Sequence, residues 1–296
     1  MRVALTGATG FIGRYLANHL AQQDHQLRCW SRSSSNRDGF ESIRDLQWVT
    51  GELGDRDSAR DLVSGCDAVV HSALWRPGAG FMGAEGDILD FAEKNILGTL
   101  QLIQAARDAG AGRFVFISTC AVHDKILDDR PLDEAHPLWA ASHYGAHKAA
   151  IEKFVHSYGL GEGFPICALR PTGVYGAATP IERSKWFDLV TAVARGEKVN
   201  CDRGGKEVHA ADVAKAAGIL LTADGIAGEA FNCCDRYISQ HDVATIAKEI
   251  SGSSAQIIGQ PKQPMHEIET GKLRGKGMEF GGTDLLRRTV AELLAA

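Results

Sequence analysis

Tyr144 and Lys148 stand at i and i+4 in a segment patterned as a helix from Ser142 to Tyr158. Both side chains therefore leave one helical face. A phenol ordinarily titrates near ~10 and is a poor proton shuttle at neutral pH; bringing it to about 7 takes roughly 4 kcal/mol of preferential phenolate stabilisation. A neighbouring ammonium is one source of that stabilisation, and a phenol so tuned can take a proton from a hydroxyl or return it. His143 and His147 share the same spacing. That spacing suits zinc, but the glutamate of a His-Glu-x-x-His pair is missing and no third ligand is apparent, so no metal site is expected.

A second chemical signal opens the chain. Thr6-Gly7-Ala8-Thr9-Gly10-Phe11-Ile12-Gly13 follows a short apolar strand and leads into a helical pattern. Gly7 lets the chain turn sharply, Gly10 lets backbone approach a pyrophosphate, and Gly13 allows close packing of helix on sheet. The helix start offers free N–H groups and a partial positive charge to phosphates. This predicts a bound dinucleotide, with Tyr144 moving a proton while the nicotinamide takes or returns a hydride. NAD enzymes usually carry an acid at the end of the second strand to hold the ribose 2′-hydroxyl. Ser31 stands there and Arg32 follows. An arginine there suits a 2′-phosphate, so NADP(H) is the preferred cofactor, with NAD(H) the alternative.

These residues must be positioned by elements whose rhythm is regular through the first half. Strand signals at Val3–Thr6, Gln26–Ser31, Leu46–Thr50, Asp67–Ser72, Arg113–Ser118 and Ile166–Arg170 alternate with helical ones at Phe11–Gln22, Asp55–Ser64, Ile88–Ala109 and Ser142–Tyr158. Continuous apolar strands between helices imply an α/β fold with a doubly wound parallel sheet covered on both faces. After about Thr172 the rhythm weakens. Helical patterns cover Asp188–Arg195, Val213–Thr222 (Asp212 placed to cap it), Gln240–Ser251 and Thr283–Ala295. A strand covers Ala230–Cys233, and Gly271–Gly282 reads as a loop. A dinucleotide-binding domain over 1–171 and a smaller α/β substrate lobe over 172–296, partly interleaved with the main fold, are therefore expected.

The G-x-x-G-x-x-G spacing, with further ordered motifs, resembles the extended short-chain dehydrogenase/reductase superfamily, in particular its NAD(P)-dependent epimerase/dehydratase-like branch. The resemblance implies a Rossmann domain with a small substrate lobe, and it assigns roles. Phe116-Ile117-Ser118-Thr119-Cys120-Ala121-Val122 is similar to the family's fifth-strand motif, which maps the catalytic hydroxyl to Thr119, with Ser118 as the neighbouring candidate. Lys148 would also bind cofactor ribose hydroxyls. Glu52-Leu53 resembles the pair flanking the adenine, with Glu for the usual Asp, and Ser72-Ala73 after His71 resembles the strand end lining the cofactor. Asn95-Ile96-Leu97-Gly98-Thr99 resembles the helix whose Asn supports the active site. Pro171, Thr172 and Val174, in Leu169–Gly176, resemble the motif closing over the nicotinamide. His209 and Asp212 fall in a C-terminal-lobe motif, where they read as structural.

The resemblance also bears on the reaction. Dehydratases of the family carry Asp-Glu after the catalytic Thr; here Cys120-Ala121 stand there. Epimerases usually carry an Arg shortly before the lobe His; here the run is Arg203-Gly204-Gly205-Lys206-Glu207-Val208-His209, and Lys206 would serve only as a point charge. These departures favour a dehydrogenase or reductase acting on a sugar-like, small polyol or ketone substrate. A nucleotide-sugar epimerase is the alternative, and a non-catalytic NADP sensor, which would often lack the Tyr or Lys, is the third.

Composition sets the outer limits. Of 296 residues, 44% are hydrophobic and 23% charged, with a net charge of −5, so a nucleic-acid partner is not expected. No stretch is apolar enough to span a bilayer, and the N-terminal residues enter a strand directly, unlike a signal peptide. The seven cysteines are scattered, without a Cys-x-x-Cys pair, and suit packing in a reducing compartment. A cytoplasmic enzyme is expected, and the family resemblance implies a homodimer.

Overall fold

The computed structural model of the chain describes residues 1–77 and 85–296. In chain order its elements are β1 (Arg2–Thr6), α1 (Phe11–Gln22), β2 (Gln26–Ser31), β3 (Leu46–Thr50), α2 (Arg56–Val63) and β4 (Ala68–His71). A continuous helical run follows: α3 (Ile88–Ala92), a π-helical turn (Glu93–Leu97) and α4 (Gly98–Asp108). Then come β5 (Arg113–Ile117), a 3-10 turn (Cys120–His123), α5 (His143–His156) and β6 (Ile166–Pro171). The remainder holds β7 (Gly173–Tyr175), α6 (Phe187–Ala194), β8 (Lys198–Asn200), β9 (Gly204–His209), α7 (Ala210–Leu220), β10 (Glu229–Cys233), β11 (Arg236–Ser239), α8 (Gln240–Ser251), β12 (Gln256–Ile258), α9 (Gly271–Arg274) and α10 (Gly282–Leu294).

The chain divides into two compact units. The first comprises Met1–Pro171, Val213–Cys233 and Glu269–Met278. Its sheet has seven strands in the order β10-β6-β5-β4-β1-β2-β3, all parallel. The strands are apolar because both faces are covered: every residue of β4 and β6 is buried. Helix α1 turns Leu16, Ala17 and Leu20 inward at helical spacing. Helices α2 and α5 begin where a side chain satisfies free N–H groups: Asp55 accepts from Asp57 and Ser58, and Ser142 from Gly145. Strand order reverses between β1 and β4, the crevice at which such sheets bind ligands beyond the strands' carboxyl ends.

The second unit comprises Thr172–Asp212, Cys234–Ile268 and Glu279–Ala296. It holds a three-stranded sheet, β11-β9-β7, and a two-stranded one, β12-β8. Its core packs Tyr175, Val190, Val193, Ile238, Val243, Leu286 and Val290.

Two local expectations are corrected. Helix α7 starts at Ala210, earlier than the pattern suggests. His209 takes the capping place, its Nδ1 accepting from Ala211 N at 3.0 Å. Asp212 lies inside the first turn and accepts from Gly281 N at 3.0 and 3.2 Å. Residues 271–282 are not all loop: α9 forms there because Leu273 has a buried place. Strands β7, β8, β9, β11 and β12 are short, and β7 and β9 begin with glycine, so they carry little period-2 signal.

Candidate active site

At the carboxyl end of β1, Gly7 has φ +72°, and a Cβ there would come within 2.8 Å of the Ala73 backbone. The turn is thus pressed against the chain leaving β4. At Gly13 a Cβ would fall 1.9 Å from Gly7 O, so α1 can seat on the turn only through glycine. Gly10 forms the N-cap of α1 and makes no side-chain cap; a Cβ there would meet only Gly7 O, at 3.2 Å. The first-turn N–H groups of α1 therefore fit an anionic pyrophosphate. Thr9, Phe11 and Ile12 flank this turn and are partly exposed.

The turn is tied to neighbouring strand ends by a buried hydrogen-bond chain. Thr6 Oγ1 lies 2.6 Å from His71 Nδ1 and accepts from Ala73 N at 3.1 Å. His71 Nε2 lies 2.9 Å from Thr99 Oγ1, which donates its own proton to Asn95 O at 2.6 Å. His71 must then donate from Nε2 and accept at Nδ1. Burial pushes its pKa down to about 3, with the charge of Lys148 acting in the same direction. Ser72 Oγ donates to Thr6 O at 2.8 Å. Asn95, in the π-turn, pins Trp75 through both backbone groups, at 2.8 and 2.9 Å.

At the end of β2, Ser31 is buried and accepts from Arg37 Nη2 at 2.6 Å. Arg32 is exposed, its backbone N–H bonded to Ser35 Oγ at 3.0 Å. Arg37 also lies over the Trp48 ring, 4.9 Å from its centroid. Arg14, on α1, braces the same loop through Asp38 O and Asn36 O at 2.6 and 3.1 Å. Arg37 escaped sequence reasoning, which looked only at the first residues after the strand; a second arginine in one short polar loop was the available signal. Beyond β3, Leu53 is buried, and Glu52 is exposed, 3.8 Å from Lys94 Nζ.

Thr119 and Tyr144 come together: the threonine hydroxyl hydrogen-bonds the phenol. Thr119 Oγ1 also accepts from Ala121 N at 3.1 Å. Ser118 does not share that surface. It is buried, and its hydroxyl proton goes to Glu152 Oε1 at 2.5 Å. Lys148 is 4% exposed; its Nζ donates to Ile117 O at 2.8 Å and lies 4.5 Å above the Phe116 ring centroid. Burial drives its pKa down to about 7, against the opposing charge of Glu152.

The expectation that the lysine lowers the phenol's pKa is corrected for the protein alone. Burial holds Tyr144 above its ordinary value, opposed by the Thr119 hydrogen bond and by the charge of Arg76. The reason is orientation: the Lys148 ammonium is turned onto a backbone carbonyl and an aromatic face. Arg76, next to the pinned Trp75, is the nearby cation that sequence reasoning missed. His147 is buried, its ring 5.4 Å from Tyr144 and 5.0 Å from Phe91, and burial brings its pKa down to about 3.

Pro171 is buried at the end of β6. Thr172 and Val174 belong to the second unit, where Thr172 hydrogen-bonds Cys234. In that unit His209 is buried against Tyr175, ring centroids 5.0 Å apart.

The model of the NAD dependent epimerase/dehydratase family matches residues 3–234. The chain belongs to this family. Its relatives include a 4-hydroxy-2-methyl-3-oxo-4-farnesyl-3,4-dihydroquinoline-1-oxide ketoreductase of Stigmatella aurantiaca, 30% identical over 89% of this chain and 77% of the relative. A dTDP-D-glucose 4,6-dehydratase of Mus musculus is 28% identical over 84% of this chain and 72% of the relative. Among solved structures, the dTDP-glucose 4,6-dehydratase DesIV of Streptomyces venezuelae with NAD bound superposes with a TM-score of 0.77 at 25% identity, covering 98% of this chain and 96% of that one. The chain is thus an NAD(P)-binding enzyme of the epimerase/dehydratase family with a Rossmann-type fold. Among the described residues, no helix is long and apolar enough to cross a membrane.

Proposed function

We propose that this family member is an NADP(H)-preferring dehydrogenase or reductase acting on a carbinol or carbonyl carbon of a sugar-like, small polyol or ketone substrate. The observation that carries the reading is the hydrogen bond between Thr119, just past β5, and Tyr144, on the helix α5 that also carries Lys148. The bound nicotinamide supplies the chemistry of accepting or returning a hydride. Thr119 orients the substrate oxygen and Tyr144 moves its proton. With the cofactor bound, Lys148 would hold the ribose hydroxyls, as the family resemblance implies, and would add the positive charge that a phenolate needs. Gly7, Gly10 and Gly13 would admit the pyrophosphate and Glu52 and Leu53 would border the adenine, while Asn95 holds Trp75, next to Arg76, through both backbone groups.

NADP(H) is favoured by the two arginines of the loop after β2. Arg37 already meets the hydroxyl of Ser31, where an acid would select the 2′-hydroxyl, and Arg32 is exposed beside it. A reductase is favoured over a dehydratase by Cys120 and Ala121, where dehydratases carry Asp-Glu, over an epimerase by Lys206 in place of an arginine, and by a ketoreductase among the relatives. We also propose a homodimer in the cytoplasm. Support for pairing comes from exposed Leu89, Leu97, Phe154 and Leu160, which lie on helical segments. Seven free cysteines suit a reducing compartment.

The test is a panel of sugars, sugar acids, polyols, ketones and nucleotide sugars, followed at the reduced-nicotinamide absorbance band and by product analysis. Net absorbance change with NADP(H) is the expected result. Turnover without net change, with cofactor that survives dialysis, would instead mark an epimerase.

A further inference from the structure

Glu207, on β9 of the second unit, is a buried carboxylate with one oxygen left over. The residue is 4% exposed. Lys185 Nζ donates to Oε1 at 2.5 Å, while Oε2 has no hydrogen-bond partner among the described residues. Neither neighbouring strand supplies one. Arg236 stands opposite on β11, but its guanidinium is drawn to Thr283 Oγ1 and, through Nε at 3.4 Å, to Asp235. On the other side, at the edge of the sheet, β7 presents exposed Gly173, where a Cβ would fall 2.6 Å from Oε2. At Gly205 a Cβ would fall 2.7 Å from Oε1. The carboxylate thus occupies room that two glycines leave free. Burial raises its pKa, and the charge and hydrogen bond of Lys185 oppose that rise.

A buried acceptor without a partner is costly and rare in folded proteins. A carboxylate only accepts, so the group that fits Oε2 is a donor. The residues beside it narrow the kind. The Lys185 side chain is 37% exposed, and its ammonium carries further donors. Its Nζ lies 5.2 Å from the centroid of the Trp186 ring. Trp186 holds φ +70°, a left-handed conformation that strains a bulky residue, and such strain gathers at ligand clamps. It is partly exposed, and its ring leans on Tyr175, centroids 5.1 Å apart. An acceptor, a donor and an aromatic face stand together here. They suit a ligand with adjacent hydroxyls, since each hydroxyl both donates and accepts, and with C–H surface for the ring. A phosphate or carboxylate would set its charge against Oε2, and an amine would set its charge against the ammonium.

We propose that Glu207 and Lys185, beside Trp186, are specificity-determining residues that bind adjacent hydroxyls of an uncharged sugar or polyol. Lys185 is the exposed member of the pair, so an entering ligand meets its ammonium first and gains Oε2 as Nζ moves aside. The inference rests on the oxidoreductase reading, with the second unit as its substrate lobe, and narrows it: uncharged sugars and polyols are taken, whereas sugar acids and nucleotide sugars are refused.

The test is calorimetric titration of the full chain loaded with NADP+, using xylose, glucose, xylitol, gluconate, UDP-glucose and cyclohexanol. At least one of the first three should bind more tightly than each of the last three. Lys185→Met and Glu207→Gln should each weaken that binding about 10-fold or more, the value of a hydrogen bond to a charged group, with NADP+ affinity unchanged. Should Glu207→Gln fail to fold, Lys185→Met, at an exposed position, decides alone. Binding of none of the three uncharged probes, tighter binding of gluconate or UDP-glucose, or unaltered sugar affinity in folded Lys185→Met would overturn the proposal. Binding that follows the expected pattern, with no nicotinamide absorbance change on any bound probe, would leave the pair's role standing and defeat the oxidoreductase reading. Turnover of cyclohexanol alone, unaffected by either substitution, would do the reverse.

Discussion

Arg37 Nη2 donates a 2.6 Å hydrogen bond to the Ser31 hydroxyl at the end of the second strand. The residue that replaces a ribose-binding acid is thus itself held by a cation. A 2′-phosphate entering here would exchange that neutral acceptor for a charged one, and charge-assisted bonds are the stronger kind. Arg37→Ala should raise KM for NADP by roughly 10- to 100-fold, the value of one hydrogen bond to a charged group, and leave KM for NAD little changed. Steady-state kinetics with both cofactors decide it; similar losses for the two would refute a 2′-phosphate role.

Tyr144→Phe keeps the ring packed against His147 and removes only the hydroxyl that meets Thr119. We expect kcat to fall at least ~100-fold, the size of general acid–base effects, with dinucleotide affinity nearly intact. Near-wild-type turnover would show that another group moves the proton.

Gly13→Ala tests the seat of α1. The added methyl would lie 1.9 Å from Gly7 O, a backbone atom that cannot yield without opening the phosphate turn. Overpacking of this kind costs roughly 1–3 kcal/mol, so the urea midpoint should drop and dinucleotide binding should be lost. Unchanged calorimetric affinity would mean that the turn is not the cofactor's cradle.

Acid should destabilise the fold through its buried imidazoles. Burial first, with nearby cations second, lowers His71 and His147 to about 3 and His123 and His209 to about 4, from an ordinary 6.5. As pH falls below 6.5 the unfolded chain takes up protons that the folded one refuses. The stability these groups supply is therefore full above 6.5 and is lost through the window down to about 3 to 4. Urea midpoints measured from pH 7 to pH 4.5 should fall steadily, and His71→Gln should flatten the slope. A flat wild-type profile would contradict the buried, neutral assignment.

The first unit could be read from the sequence because its strands are apolar on both faces and its helices carry their own start signals. Val3 to Leu5, Asp55 and Ser142 each declare their place locally. The glycine turn and the Tyr144–Lys148 pair were legible for the same reason, being close in the chain. Arg37, Arg76 and the Glu152–Arg170 pair were not. Each gains meaning from a neighbour on another element, and nothing in a single segment marks Arg170 as the partner of a carboxylate on α5. The short strands of the second unit were missed because three to six residues hold too little alternation to register, the more so where β7 and β9 begin with glycine.

The seventh strand of the main sheet is contributed by Glu229–Cys233, which pairs with β6. During synthesis, β6, which ends at Pro171, must wait about sixty further residues for Glu229–Cys233 to cover its open side. An uncovered strand of buried apolar residues is a template for pairing with other chains. Fragments ending near Pro171 should therefore be sticky and resist recovery in pure form. Shortening this protein from its C-terminus is a poor route to an isolated nucleotide module, and a chaperone would have its best opportunity in that interval.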